Sequence, residues 1–98
     1  MAIHVYMLRC SDGSYYVGSS RDSLDRRIAE HNAGRFPGYT LRRRPVELVW
    51  HEEFKLITDA IAVERQLKGW SRAKKEALIH RDFAALRRLS RSRLDKTN

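Results

Sequence analysis

The 98-residue sequence predicts an α+β fold: a small three-stranded, largely antiparallel sheet with flanking helices, in the order β-β-α-β-α-α. Three observations predict it. Two short runs rich in β-branched and aromatic residues, 3–10 and 15–20, flank the turn sequence Ser11-Asp12-Gly13-Ser14 and read as a hairpin. A third run, from Val46 to Phe54, alternates so that Val46, Leu48, Trp50 and Phe54 lie on one side. The stretches between and after these runs carry helical spacing and capping residues.

The hairpin carries a constraint of its own. A two-residue loop at Asp12-Gly13 would put Tyr6 and Tyr16 on opposite faces, because pairing positions would then sum to 25. A three-residue loop, Ser11-Asp12-Gly13 with Gly13 left-handed, puts both tyrosines on one face. A site shared by the two tyrosines therefore predicts the odd loop.

The first helix starts at Asp22 or Ser23, either of which can cap it, and runs to Asn32, with Gly34 as its stop. Gly34, Pro37, Gly38, Tyr39 and the triplet Arg42-Arg43-Arg44 before Pro45 mark 34–45 as a loop. A second helix begins near Thr58 and ends about Gly69 or Trp70. Ser71 caps a third through His80, and Asp82 caps a last one to about Ser90, followed by a polar, frayed tail. Trp50 and Trp70 read as core residues.

A chain of this length is one domain, and 42% hydrophobic residues argue against disorder. The net charge of +8 and pI near 10.3 point to a polyanion, nucleic acid first and anionic membrane second. No apolar run approaches the roughly 20 residues of a membrane span. The chain enters a strand pattern at once, with no basic leader, and a cytoplasmic location is expected. Cys10 is alone, so neither an internal disulfide nor a cysteine zinc site is available.

Five side chains are candidates for chemistry. Tyr6 and Tyr16 are ordinary strand residues taken singly, yet a phenol can take a proton from water if nearby cations favour its ionised form. Arg27 and His31 lie one helical turn apart and border the stripe made by Leu24 and Ile28. A guanidinium fork matches phosphate oxygens and a charged transition state. Glu64 projects from the middle of an apolar face formed by Ile57, Ala60, Ile61, Val63, Leu67 and Trp70. It can pair with Lys68 at i, i+4, or it can hold a divalent metal together with waters and substrate oxygens. The residues alone leave that choice open. Arg42, Arg43 and Arg44, with eleven Lys or Arg against three acids in 65–98, read as a phosphate-attracting surface. Tyr39 is a candidate for stacking on an unpaired base, and Gly18 suits close backbone approach to a ligand.

The phrases His4-Val5-Tyr6 and Tyr16-Val17-Gly18, the run Arg27-Ile28-Ala29-Glu30-His31, and Glu64 together resemble the GIY-YIG nuclease superfamily. The likeness is greatest to its small stand-alone bacterial, UPF0213-like members, and it runs from about Ile3 to about Ile79. It implies a single domain over 1–98 with a motif core of about 3–79 and a basic C-terminal helix and tail of about 82–98. It implies a metal-dependent DNA endonuclease that hydrolyses phosphodiesters in one step with one Mg²⁺ or Mn²⁺. In that reading Tyr6 is the general base and Arg27 stabilises phosphorane charge. Tyr16 and His31 position water and phosphate, Glu64 holds the metal, and Lys68 joins the binding surface. The partner is nucleic acid, DNA ahead of RNA, with no membrane and with room for a protein partner that supplies specificity. His4 stands where the superfamily name has glycine, and no late asparagine is evident. The alternative reading is a basic nucleic-acid-binding module without turnover, or an accessory protein of a repair or ribosomal complex.

Overall fold

The structure is a computed structural model and describes residues 2–97, with side chains to Ser90. The chain divides into two compact units, Met1–Lys68 and Gly69–Asn98.

The first unit holds strands β1 (Ile3–Arg9), β2 (Tyr15–Ser20) and β3 (Glu47–Phe54) and helices α1 (Leu24–Asn32) and α2 (Ile57–Lys68). The sheet is antiparallel in the order β2-β1-β3, so β1 is central. Centrality explains why Val5, Tyr6, Met7 and Leu8 are all buried: both faces of this strand are covered. On one face Tyr6, Leu8, Cys10 and Val46 form a core against Leu24 and Ile28 of α1. On the other face lie Val5, Met7 and Val17, the side on which α2 packs.

The hairpin turn is the three-residue one. Tyr6 pairs with Gly18 and Leu8 with Tyr16, so Tyr6 and Tyr16 share a face. Gly13 takes φ 84°, and Cys10 N–H donates to Ser14 O at 2.8 Å. Asp12 accepts from the Ser14 backbone N–H at 3.0 Å and from the Ser14 hydroxyl, which holds its carboxyl below the ordinary value.

Ser23 caps α1 by accepting from Arg26 N–H at 3.2 Å, and Gly34 ends it at φ 78°. Asn32 then clamps the start of β3. Its amide donates to Val46 O at 3.1 Å, while its carbonyl accepts from Val46 N–H at 2.7 Å.

The single side expected for the third strand is corrected by a β-bulge. Met7 pairs with Trp50 and Leu8 with Leu48, leaving Val49 as an extra residue. Val46 and Leu48 therefore face α1, whereas Trp50 and Phe54 face the opposite way. Trp50 and Trp70 are half-buried rather than core. The apolar face of α2 is also narrower than its spacing suggests. Ala60 and Leu67 are buried, but Ile57 and Ile61 are exposed.

The second unit contains α3 (Arg72–Ile79) and α4 (Phe83–Thr97), which pack on each other. Ser71 caps α3 through Lys74 N–H, and Asp82 caps α4 through Ala85 N–H. Arg81, in the left-handed region at φ 57°, makes the bend between them. Helical backbone continues through 91–97, where the sequence predicts a frayed tail. No helix among the described residues is long and apolar enough to cross a membrane.

Candidate active site

Tyr6, Tyr16, Arg27 and His31 come together on the α1 face of the sheet. Tyr6 is only 1% exposed, and its hydroxyl oxygen lies 3.0 Å from His31 Nε2. Gly18 makes this possible. A Cβ there would sit 2.6 Å from the Tyr6 oxygen and 3.0 Å from the Tyr16 ring, so the bare backbone leaves the space the phenol fills. The Tyr6 and Tyr16 rings stand 6.5 Å apart, and the Tyr16 and His31 rings 5.4 Å apart.

His31 is buried and bonded at both ring nitrogens. Its Nδ1 lies 2.9 Å from the hydroxyl oxygen of Thr40, itself buried. Phe36 packs on the same imidazole at 4.5 Å and lies under the Arg27 guanidinium at 5.0 Å. Thr40 and Phe36 both come from the loop between α1 and β3, and the sequence reading missed them. The only local hint was Gly38-Tyr39-Thr40, a phrase that reads as a turn.

Arg27, with its side chain 22% exposed, is held loosely. Its ion pairs with Asp22 and Glu30 are both at 3.8 Å, and its Nε has no hydrogen-bond partner. That Nε is itself buried, and the guanidinium also acts on the Tyr6 hydroxyl, favouring its ionised form. Arg27 also lines a cleft of about 430 Å³ at the end of β2, together with Ser19, Ser20, Ile57 and Ile61.

Glu64 reaches β2 from the opposite face. The Ser19 hydroxyl donates to its carboxylate at 3.5 Å, and Lys68 Nζ pairs with it at 3.3 Å. Ser19 neighbours Gly18 in the strand and so points away from the tyrosines. The Glu64 charge still acts on Tyr6, helping to disfavour its ionised form.

The basic triplet divides by role. Arg43 donates to Tyr39 O at 2.8 Å and to Asp12 at 3.1 Å, tying the loop to the hairpin turn. Arg44 donates to Leu41 O at 2.8 Å and to Asn32 O at 3.3 Å. Arg42 is exposed, with neither hydrogen bond nor ion pair to the described residues. Tyr39 is exposed at its rim but already engaged. Arg43 lies 3.9 Å over its ring, and Tyr16 stacks on it at 6.2 Å.

The cations nearby do not leave Tyr6 ionised. Burial, reinforced by Tyr16, pushes its pKa up to about 12 against the downward pull of Arg27. Burial, followed by the Arg27 charge, pushes the His31 pKa down, opposed by Glu30. At neutral pH the pair is thus a phenol facing a neutral imidazole. Because the folded protein holds the Tyr6 proton more tightly than the unfolded chain, stability falls as pH rises from 10 towards about 12. Because it binds a proton at His31 less tightly, stability also falls as pH drops below 6.5. Urea midpoints across pH 5–12 should show losses at both ends. His31→Phe should flatten the acid-side loss, and Tyr6→Phe the alkaline one.

A family model described as the GIY-YIG catalytic domain matches residues 2–77. A UPF0213 protein of Halobacterium salinarum is 49% identical over 76 residues, covering 78% of this chain and 97% of that protein. The solution NMR structure of a UPF0213 protein of Bacillus halodurans is similar at TM-score 0.55 and 41% identity, covering 82% of this chain and 84% of that one. A second NMR structure, of an E. faecalis protein, has TM-score 0.59 and 32% identity, covering 86% and 88%. The family match spans most of the sequence and the relatives cover about four fifths of it; the chain belongs to the GIY-YIG family of nuclease-like domains, alongside the small UPF0213 proteins.

Proposed function

We propose that this chain is a metal-dependent endonuclease that hydrolyses DNA phosphodiester bonds in a single step. The observation that supports it best is a buried phenol bonded to a neutral imidazole beside an unsaturated guanidinium. Tyr6 is the general base. With its own proton held at neutral pH, it accepts one from water as its hydroxyl hydrogen passes to His31 Nε2. The hydroxide so formed bonds to phosphorus, and the leaving oxygen departs with the electron pair of the broken bond. Arg27 stabilises the charge gathered on the phosphoryl oxygens, and Tyr16 orients water and phosphate. The match across residues 2–77 runs past Lys68, which supports treating both units as one functional domain.

Glu64 is the residue that would hold the metal. Its carboxylate and the Ser19 hydroxyl are hard oxygen donors, and the Glu64 side chain is 19% exposed, which admits waters as further ligands. No group of three or more His, Cys, Asp or Glu among the described residues forms a protein cage. That donor set fits Mg²⁺ or Mn²⁺, which keep much of their water shell. When bound, such an ion supplies Lewis-acid stabilisation of phosphoryl oxygens. The Glu64–Lys68 pair is the observation that favours a second reading, a binding module without turnover. A panel of duplex, single-stranded, flap and branched DNA beside RNA, with Mg²⁺ or Mn²⁺, decides between them. Metal-dependent cleavage of DNA supports the nuclease. Binding without cleavage of any substrate supports the module.

Arg42, Tyr39 and Lys68 complete the proposed nucleic-acid surface, with Arg43 and Arg44 shaping it from within the loop, whereas the close approach at buried Gly18 is made by the Tyr6 ring rather than by a ligand. Binding should weaken steeply between 50 and about 200 mM salt through counterion release. Arg42→Ala should weaken binding across sequences with an unchanged melting temperature, whereas Arg43→Ala should lower the melting temperature as well. Salt titrations of a fluorescent duplex, with melts of each variant, check this. A flat salt response would mean that the basic surface is not the binding surface.

A further inference from the structure

We propose that Thr40 is a positioning residue that fixes the tautomer of His31, so that Nε2 faces Tyr6 as an acceptor. This deepens the nuclease reading and rests on it for its catalytic consequence. Thr40 is 3% exposed, and its hydroxyl oxygen lies 2.9 Å from His31 Nδ1. Thr40 also opens the short 3-10 turn Leu41–Arg43, where a threonine ordinarily caps a backbone N–H; here the side chain makes no such cap. Its hydroxyl goes to the imidazole instead.

The backbone around it is fixed for that purpose. Arg43 N–H donates to Thr40 O at 3.0 Å, and the Arg43 side chain holds Tyr39 O and Asp12. Thr40 therefore approaches His31 from a loop pinned to both the hairpin turn and α1. A neutral imidazole has one N–H, and the bond made by one nitrogen sets the role of the other. With Nδ1–H donating to Thr40, Nε2 presents a lone pair to the Tyr6 hydroxyl. When the Tyr6 proton moves to Nε2, the imidazolium has two N–H groups, and the Thr40 oxygen is already in place for the one at Nδ1. A ring with its only hydrogen at Nε2 would instead point that hydrogen at the Tyr6 oxygen, and no proton could leave in that direction. The charged or titratable groups around the ring are Tyr6 from β1, Tyr16 from β2, and Arg27 and Glu30 from α1. None of these is placed on Nδ1.

The test compares Thr40→Val, which keeps the volume and removes the oxygen, with Thr40→Ser, which restores it. Ring ¹⁵N NMR reads the His31 tautomer in the metal-free protein, single-turnover and steady-state cleavage read the rate, and amide spectra verify the fold. In the wild type the hydrogen is expected at Nδ1. Thr40→Val should move it towards Nε2 and lower kcat about 10²-fold with little change in KM, and Thr40→Ser should recover both. An Nε2–H tautomer in the wild type, or a Thr40→Val protein with the wild-type tautomer and kcat, overturns the proposal. So does a Thr40→Ser protein as impaired as Thr40→Val. If the wild type cleaves nothing while the NMR result holds, the nuclease reading fails and the tautomer assignment stands.

Discussion

Glu64→Gln is expected to abolish cleavage while leaving the fold and nucleic-acid binding in place. The substitution keeps the volume, and the amide oxygen still accepts from the Ser19 hydroxyl. What is lost in stability is the pair with Lys68, whose side chain is 55% exposed, so its loss costs under about 1 kcal/mol. What is lost in function, on the proposed reading, is the negative oxygen that Glu64 offers a divalent ion. A rise in melting temperature with Mg²⁺ or Mn²⁺ in the wild type should therefore disappear in the variant together with activity. Lys68→Met provides the contrast: it breaks the same pair from the other side but leaves the carboxylate. It should retain cleavage, with some loss of nucleic-acid affinity. If Glu64→Gln cleaves as well as the wild type, Glu64 is a structural anion and the metal lies elsewhere.

Gly18→Ala should be nearly as damaging, by a different route. In an ordinary strand interior, replacing glycine by alanine gains about 0.5–1 kcal/mol. Here the new Cβ would lie 2.6 Å from the Tyr6 oxygen and 2.7 Å from its Cζ, inside the contact distance of a ring that has almost no free space. The ring must rotate away, and overpacking of this kind costs about 1–3 kcal/mol. The clash outweighs the entropy gain. More important for function, the Tyr6 hydroxyl moves off His31 Nε2, and cleavage should fall by about 10²–10⁴-fold, the contribution of a positioned acid–base group. Thermal melts and single-turnover rates measure the two effects. A variant that is more stable than the wild type and fully active would contradict the packing seen around Tyr6.

The two variants separate the parts of the proposed site. One removes the proposed ligand oxygen on the opposite face of the sheet and leaves the phenol–imidazole pair intact. The other disturbs that pair and leaves Glu64, Ser19 and Lys68 alone. Loss of activity in both, with the Mg²⁺-dependent melting shift lost only in Glu64→Gln, is the pattern expected if catalysis needs both.

How much of this was legible from the residues follows their distance along the chain. The hairpin register could be read because an odd turn and a shared face for Tyr6 and Tyr16 are one geometric statement, made within a dozen residues. The caps at Ser23, Ser71 and Asp82, and the single turn between Arg27 and His31, are equally local. Tertiary structure decided the rest. Nothing near Thr40 or Phe36 in sequence announces that the loop carrying them closes on His31, since that depends on Asn32 clamping Val46 and Arg43 reaching Asp12. The bulge at Val49 was invisible because the alternating pattern continues across it, with the sides exchanged. The resting state of Tyr6 was open from the residues because charge can be counted in a sequence whereas desolvation cannot. Arg27 is close enough to favour a phenolate, yet burial between α1 and the central strand outweighs it, and burial exists only once the chain has folded.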